Sequence, residues 1–175
     1  KVMRYFKDKG TSVFALKGDV SKAHRRVAIL EEDWGMQACR LDEHRVWLNT
    51  VGTFGIGSAA YWWSRLIGGV ARLTLYLLRE AVIWQLTFAD DLEWSVQGPD
   101  MMIHLALAIY FQVVMAVPFS WPKFGGGTSF EWVGYFLDYK RFAIGISETR
   151  AAWLDAWCKA SRVAGGGRAD ELEEG

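Results

Sequence analysis

The feature that most constrains this chain is a pair of adjacent acids between two β-rich segments. Residues 81–88 and 92–96 are rich in β-branched and aromatic side chains, and only Ala89, Asp90 and Asp91 lie between the two segments. Segments of this kind joined by a short polar connection are typical of a β-hairpin. The sequence therefore predicts a hairpin with two carboxylates at its tip, although acids are also common at turns simply because they are solvated there.

The segments on either side of this hairpin predict an α+β fold. Residues 12–19 are a short apolar run that ends at Asp19, as a buried strand would, and residues 58–78 and 101–117 are predicted to be helices. The order is strand, helix, hairpin, helix, strand. This is the ferredoxin-like split βαβ plan, an antiparallel sheet with helices on one face.

This order of elements has a consequence for the three acids. In a right-handed crossover the first two strands run parallel, and the third strand lies antiparallel between them. The end of the first strand and the tip of the hairpin then share one edge of the sheet. We therefore expect Asp19 to lie beside Asp90 and Asp91, although it is far from them in sequence.

Shorter segments complete the predicted sheet region. Residues 36–41 and 45–51 predict an early hairpin, and residues 125–127 predict a flexible glycine loop. Residues 130–137 and 142–146 predict the two strands of a further hairpin.

The C-terminal part of the chain is expected to be organised differently. Residues 147–162 predict an amphipathic helix that is capped by Ser147. We expect one main domain at residues 1–146, a helical unit that begins at residues 147–164, and a disordered, glycine-rich and acidic tail at residues 165–175.

Composition limits the class of protein. Hydrophobic residues make up 51% of the chain, which excludes a disordered protein. Twenty basic residues balance twenty acidic ones, so a nucleic-acid surface must come from local clustering. Cys39 and Cys158 form no CxxC pair, which argues against a zinc site and favours a reducing, intracellular compartment. Residues 101–117 are apolar but short for a bilayer span, so a buried core helix is favoured over a membrane helix.

Three carboxylates at one edge of a sheet would repel one another unless a cation lay between them. Magnesium is the cation that best fits a site made of oxygen ligands. Two such ions about 3.5–4 Å apart can activate an attacking hydroxyl and stabilise the leaving oxygen of a phosphoryl displacement. The predicted edge is therefore typical of nucleotidyl transfer.

Four motifs, LKGDVSKAHRRVAI, TVGTFGIGSAAYWW, LTFADDLEW and EWVGYFLDYKRFAIGIS, follow one another along the chain. In this order they resemble the palm domain of reverse transcriptases, most closely the retrotransposon type, over about residues 12–155. The resemblance implies an RNA-directed DNA polymerase in which Asp19, Asp90, Asp91 and the backbone carbonyl of Val20 hold two Mg²⁺ ions, or Mn²⁺ in their place. The implied partners are an RNA or DNA template with its primer, and deoxynucleoside triphosphates.

The same resemblance implies roles for residues outside the acidic edge. The implied nucleotide contacts are His24, Phe54, Gly55 and Lys123, and the implied primer or template contacts are Lys22, Arg25, Arg26, Ser58, Trp132 and Gly134. His24 departs from the family pattern, which commonly has an aromatic gate against the ribose 2′-hydroxyl at this position. The family also implies a basic fingers segment ahead of Lys1 and a thumb that begins at residues 147–164.

Two other functions compete with a polymerase. The first is a catalytically inactive palm remnant or interaction domain, which would keep the fold without the reaction. The second is a nucleotide-binding α/β protein that uses the glycine loop at residues 52–57, where backbone amides at the start of a helix could hold a phosphate. The loop has the spacing GxxGxG rather than GxGxxG, and this second function leaves Asp90 and Asp91 unexplained.

Overall fold

A computed structural model describes residues 1–10, 12–53 and 55–163. Within these residues the α-helices are α1 (Val2–Lys9), α2 (Gly57–Leu77), α3 (Met101–Val114) and α4 (Glu148–Val163). The strands are β1 (Val13–Asp19), β2 (Ala38–Arg40), β3 (Val46–Leu48), β4 (Val82–Phe88), β5 (Asp91–Gln97), β6 (Gly125–Gly127), β7 (Ser129–Trp132), β8 (Tyr135–Asp138) and β9 (Ala143–Ile146). Three short 3₁₀ helices lie at Ala23–Arg26, Glu31–Gln37 and Trp121–Lys123.

The main sheet has the order β4-β5-β1-β6, and every neighbouring pair is antiparallel. Strands β1 and β4 therefore run parallel to each other, with β5 between them. This is the order that the split βαβ plan requires, so the predicted palm-like α+β fold is confirmed.

Helices α2 and α3 cover one face of the main sheet, because apolar and polar side chains alternate along β5 and the apolar ones lie on that face. Leu92, Trp94 and Val96 point to the helices and are fully buried. Trp63 and Ile67 of α2 belong to the same core cluster. Burying a large apolar side chain contributes roughly 1.5–3 kcal/mol, so this face supplies much of the stability of the sheet.

The opposite face of the main sheet is also covered. Helix α1 contributes Phe6 and the strand β8 contributes Leu137, and both pack against Val13 and Ala15 of β1. Strands β7, β8 and β9 form a separate three-stranded sheet on this side. The main sheet is thus covered on both faces: α2 and α3, the two expected helices, lie on one face, and α1 lies on the other.

Three details differ from the sequence predictions. The expected flexible loop at residues 125–127 is strand β6, because Gly126 approaches β1 so closely that an added Cβ would lie 2.3 Å from the carbonyl oxygen of Ala15. The expected single strand at residues 130–137 is two strands, because Val133 and Gly134 both have positive φ and form a turn. Helix α1 was not predicted, although Gly10 ends it in the left-handed conformation that is typical of a helix C-terminus.

The other predicted elements agree with the structure to within a few residues. Strands β2 and β3 form the expected early hairpin, and α4 begins directly after Ser147, whose Oγ accepts a hydrogen bond from the backbone amide of Arg150 at 3.4 Å. Helix α3 ends at Val114, and no helix among the described residues is long and apolar enough to cross a membrane. The predicted tail at residues 165–175 lies outside the described residues.

Candidate active site

The pairing of β1 with β5 places two of the three predicted acids side by side. Asp19 is the last residue of β1 and Asp91 is the first residue of β5, and the antiparallel register makes them direct partners. Residues that face each other in this way have side chains on the same face of the sheet, with Cβ atoms about 4.5–5.5 Å apart. The register of the sheet therefore brings together carboxylates that are distant in sequence.

The third acid lies in the two-residue turn that joins β4 to β5. Ala89 has φ 51°, and its carbonyl oxygen accepts a hydrogen bond of 2.9 Å from the indole Nε1 of Trp63. The carbonyl oxygen of Asp90 accepts a hydrogen bond of 2.9 Å from the backbone amide of Val20. The hairpin tip is thus held both by the buried Trp63 of helix α2 and by the residue that follows Asp19.

These acids line one open cleft of about 560 Å³, which we call the acidic cleft. Its lining residues are Lys17, Gly18, Asp19, Asp90, Asp91 and Lys123. The cleft is formed at the strand ends, as the topology predicts, and it combines three carboxylates with two ammonium groups. Gly18 is needed there because an added Cβ would lie 2.8 Å from the ring of Phe124 and 3.0 Å from that of Trp94.

The two lysines of the acidic cleft have different partners. The Nζ of Lys123 donates a hydrogen bond to Oδ2 of Asp19 at 2.9 Å, and this bond raises the pKa of the lysine. The Nζ of Lys17 instead donates to the backbone carbonyl of Glu131 at 2.8 Å. Lys17 thereby links the main sheet to the three-stranded sheet, whereas Lys123 neutralises a carboxylate.

The electrostatics of the cleft favour a bound cation. Partial burial raises the pKa of Asp91, and the negative charges of Asp90 and Asp19 raise it further. The positive charges of Lys123 and Lys17 oppose this shift. A divalent cation between these carboxylates would relieve the same repulsion more strongly, because it carries twice the charge of an ammonium group.

The acidic cleft offers carboxylate oxygens, which are the kind of donor that a magnesium site uses. Among the residues that the structure describes, no group of three or more His, Cys, Asp and Glu side chains is arranged to hold a metal ion as it stands. Carboxylate oxygens are nevertheless the ligands that Mg²⁺ and Mn²⁺ prefer, and Asp19 and Asp91 are register partners on one face. The chemistry of the donors therefore fits, and the contact between Lys123 and Asp19 is the visible obstacle.

Three of the predicted nucleotide, primer or template residues lie in a second cleft, which we call the basic cleft. Lys22, His24 and Arg25 line it together with Ala23, Thr53 and Asp90, and its volume is about 190 Å³. Asp90 also lines the acidic cleft, so the two clefts meet at the hairpin tip. Their union places cationic side chains next to the carboxylates, as binding of a phosphate beside a metal site requires.

Other predicted residues lie away from both clefts. The Nε of Arg26 donates to the carbonyl oxygen of Ser21, and its side chain lines a separate cleft with Trp63 and Pro118. Gly55 and Ser58 are exposed near the start of α2 and line neither the acidic nor the basic cleft. Phe54 lies outside the described residues.

Trp132 and Gly134 lie at one end of the three-stranded sheet. Gly134 is part of the turn between β7 and β8, and its carbonyl oxygen accepts a hydrogen bond of 3.2 Å from Nη1 of Arg150 in α4. Trp132 lines an apolar cavity of about 500 Å³ between α1, β4 and the three-stranded sheet. This turn connects to the acidic cleft through Lys17, which is bonded to Glu131, the residue before Trp132.

The glycine loop of the competing nucleotide-binding function has a structural role in part. The backbone amide of Gly52 donates to the carbonyl oxygen of Val27 at 2.8 Å, and an added Cβ at Gly52 would lie 2.5 Å from the carbonyl oxygen of His24. One of the amides that a phosphate would need is therefore already bonded. The need for glycine here comes from close contact with the chain that carries His24.

A buried polar cluster on β5 was not predicted from the sequence. Glu93 is fully buried, and its Oε1 accepts hydrogen bonds from Ser95 and from the hydroxyl of Tyr139. Burial raises the pKa of Glu93, although these two hydrogen bonds oppose the shift. The alternation of β5 puts Glu93 on the same face as Asp91, which was the available signal.

No protein-family model matches the chain, and no curated protein matches it in sequence. Its fold is similar to that of a foamy viral protease-reverse transcriptase solved with an RNA/DNA hybrid, with a TM-score of 0.60, 12% identity and coverage of 78% of this chain and 17% of that one. A second foamy viral protease-reverse transcriptase structure, with double-stranded DNA, gives a TM-score of 0.62, 10% identity and coverage of 79% and 23%. An apo telomerase from Candida tropicalis, truncated from its C-terminal domain, gives a TM-score of 0.60, 11% identity and coverage of 83% and 38%.

These likenesses show the fold alone, which is similar to that of a polymerase palm. The chain spans between 17% and 38% of the length of the three chains that it resembles. The likeness therefore concerns only part of each neighbouring protein, and the activity of the whole protein does not transfer with it.

Proposed function

We propose that this chain is the palm of an RNA-directed DNA polymerase of the retroelement type, which transfers nucleotides to a primer 3′-hydroxyl. The observation that carries the proposal is the register of β1 and β5, which makes Asp19 and Asp91 direct partners with Asp90 beside them. The fold supports this proposal, because it is similar to the folds of a solved reverse transcriptase and a solved telomerase.

In this function Asp19, Asp90, Asp91 and the carbonyl of Val20 would hold two Mg²⁺ ions, for which Mn²⁺ could substitute. The ions would supply the activation of the primer hydroxyl and the stabilisation of the leaving pyrophosphate. The protein's own contribution is placement: the strand register fixes Asp19 against Asp91, and Trp63 fixes the hairpin tip through the carbonyl oxygen of Ala89. Rigid support of this kind keeps the metal ligands in one geometry.

The nucleotide is proposed to lie where the two clefts meet. Lys22, His24 and Arg25 line the basic cleft beside Asp90, and Lys123 lies on the other side of the carboxylates. Cationic side chains on both sides suit a triphosphate, since charge-assisted hydrogen bonds to phosphate oxygens are strong. The nucleotide contacts that the resemblance implies for Phe54 and Gly55 stay predictions, because Gly55 lines neither cleft. His24 would face the sugar of the nucleotide.

The primer and template are proposed to cross the acidic cleft next to the three-stranded sheet. Trp132 and Gly134 form the end of that sheet, and α4, whose Arg150 bonds Gly134, would begin a thumb. The remaining proposed contacts to primer or template are Lys22, Arg25, Arg26 and Ser58. The two viral neighbours were solved with an RNA/DNA hybrid and with double-stranded DNA, which supports a nucleic-acid partner here.

Primer extension by the full polypeptide encoded by the reading frame tests this function. With an RNA template, a DNA primer, deoxynucleoside triphosphates and Mg²⁺, we expect extension that Asp91→Asn lowers by at least about 100-fold, because a direct metal ligand matters at least as much as its supporting residues. Asp100→Asn is the matched control, since Asp100 is an exposed acid at the start of α3. Undiminished extension by Asp91→Asn would remove the acidic cleft from the reaction.

A palm that binds without polymerising is the second candidate. The observation in its favour is that Lys123 already pairs with Asp19, one of the three carboxylates that a metal site would need. The two functions differ in one result. A wild-type polypeptide that binds a primer–template duplex but incorporates no nucleotide in the presence of Mg²⁺ would support the second candidate.

A further inference from the structure

The segment that carries Lys123 is fixed against the strand that carries Asp19. The backbone amide of Ser120 donates to the carbonyl oxygen of Asp19 at 2.8 Å, and the amide of Lys123 donates to the carbonyl oxygen of Ser120 at 3.0 Å. The next residue, Phe124, stacks on the buried ring of Trp94 with 6.1 Å between ring centroids. The backbone of Lys123 is therefore anchored from both sides, next to Asp19.

The side chain of Lys123 reaches from solvent to a carboxylate that is largely buried. The lysine side chain is 64% exposed and the Asp19 side chain is 11% exposed, and Nζ lies 2.9 Å from Oδ2. Asp19 would otherwise face the charges of Asp90 and Asp91 without a cation at its own oxygen. The ammonium group thus serves as a tethered monovalent cation in the acidic cleft.

We infer that Lys123 competes with divalent cations for Asp19, and that it is released toward the phosphates of the nucleotide when a divalent cation binds. This inference rests on the proposed function, and it adds regulation to the same site. An ammonium at hydrogen-bond distance from Oδ2 of Asp19 repels a divalent cation that binds the same carboxylate, so each cation weakens binding of the other. Metal entry therefore favours release of Lys123.

The coupling gives the contact a use. A lysine that is freed by metal entry becomes available on the side of the carboxylates where a triphosphate would lie. Phosphate binding to Lys123 would in turn leave Asp19 free for the metal, so each ligand strengthens binding of the other. The metal and the phosphates would thus be favoured as a pair over either one alone.

Lys17 provides a matched control within the same cleft. It carries the same charge as Lys123 and also lowers the pKa of Asp91, but its Nζ is bonded to the carbonyl oxygen of Glu131 rather than to Asp19. If only the loss of a positive charge mattered, replacing either lysine would affect cation binding equally. Direct competition for Asp19 predicts a larger effect at Lys123 than at Lys17.

The experiment is a titration of the full chain with Mn²⁺ alone. Binding is measured as the loss of the electron paramagnetic resonance signal of the free ion. We expect Lys123→Met to bind Mn²⁺ more tightly than wild type, on the order of threefold to tenfold, since an exposed ion pair and the repulsion of a nearby cation are both removed. Lys17→Met should tighten binding by less. Lys123→Gln should behave as Lys123→Met does, and thermal unfolding should show that all the variants are folded.

The outcomes separate this inference from the function on which it rests. Tighter binding by both Lys123 variants than by Lys17→Met supports competition. Equal affinity in wild type and the Lys123 variants, or an equal gain in Lys17→Met, overturns the inference and leaves the proposed function standing. Saturable binding by none of the proteins overturns the proposed function, and the inference falls with it.

Discussion

Two acids on one strand, Asp91 and Glu93, have opposite surroundings although their side chains lie on the same face of β5. Asp91 opens onto the acidic cleft beside Asp19 and Asp90, so its charge faces other charges and solvent. Glu93 is fully buried, and the hydroxyl groups of Tyr139 and Ser95 both donate hydrogen bonds to its Oε1. Position along the strand, and not residue type, therefore separates an acid that lines an open cleft from one in a buried hydrogen-bond cluster.

The cause of this difference is the cover on that face of the sheet. Tyr139 follows β8 of the three-stranded sheet and seals the part of β5 that contains Glu93. The register partner of Glu93 on β1 is Lys17, which bonds to Glu131 and thereby joins the two sheets at this point. Beyond Lys17 the cover ends, and Asp19 and Asp91 line an open cleft. The acidic cleft thus lies at the uncovered end of these strands.

The largest expected effect compares the two acids directly in metal binding. Asp91→Asn should weaken Mn²⁺ binding by about tenfold or more, whereas Glu93→Gln should change it by less than about twofold, because only Asp91 is a ligand in this account. Isothermal titration calorimetry of the two variants measures the contrast. Equal losses in both would show that the strand, and not its exposed end, determines cation binding.

The second prediction reverses the comparison by measuring stability. Tyr139→Phe should lower the free energy of unfolding by about 1–3 kcal/mol, because it removes a hydrogen bond of 2.7 Å to the buried carboxylate of Glu93. Tyr135→Phe, at an exposed tyrosine of the same three-stranded sheet, should change it by less than about 0.5 kcal/mol. Urea denaturation gives both values. A loss at Tyr135 as large as that at Tyr139 would mean that the Glu93 cluster has no special role.

The third prediction concerns the edge strand next to the open end. Gly126→Ala should cost about 1–3 kcal/mol, since an added Cβ would lie 2.3 Å from the carbonyl oxygen of Ala15 and the backbone must shift. Gly125→Ala should be tolerated, because its nearest contact would be Lys17 Cε at 3.7 Å. Thermal unfolding of this matched pair checks the prediction. Similar melting temperatures would indicate that β6 is not held tightly against β1.

The smallest effect is a pH dependence that comes from the buried acid. The pKa of Glu93 is higher in the folded chain than in the unfolded chain, so the folded state holds the proton more tightly. The resulting stabilisation is present below the unfolded pKa and is lost as pH rises through the folded pKa. Glu93→Gln removes this term, so its stability relative to wild type should improve as pH rises from 5 to 8. A difference that stays constant over this range, measured by urea denaturation, contradicts the burial argument.

Much of this architecture follows from local sequence patterns. The hairpin of β4 and β5 is predicted because two β-rich segments are separated only by residues 89–91, and the helices follow from long apolar runs with punctuation at their ends. The handedness of the crossover then predicts that Asp19 lies beside Asp91, a contact that no local pattern contains. A small set of topological rules thus accounts for the acidic cleft.

The features that were missed depend on contacts between distant parts of the chain. Glycines favour loops in isolation, and only the close approach to Ala15 makes residues 125–127 a strand. Glu93 in a β-rich segment has the sequence appearance of an outward-facing residue, and its burial requires Phe6 and Tyr139 to cover that face. The partners of Lys17 and Lys123 are likewise set by tertiary packing, which the sequence around each lysine does not encode.

The central claim is that Asp19, Asp90 and Asp91 share divalent cations, and anomalous diffraction from crystals soaked in Mn²⁺ tests it most directly. The account predicts an anomalous peak within about 2.0–2.3 Å of carboxylate oxygens of both Asp19 and Asp91, with Lys123 moved away from Asp19. The contrary result would be a fully occupied Mn²⁺ peak elsewhere on the chain and no peak at these carboxylates. In that result Lys123 would still be bonded to Asp19.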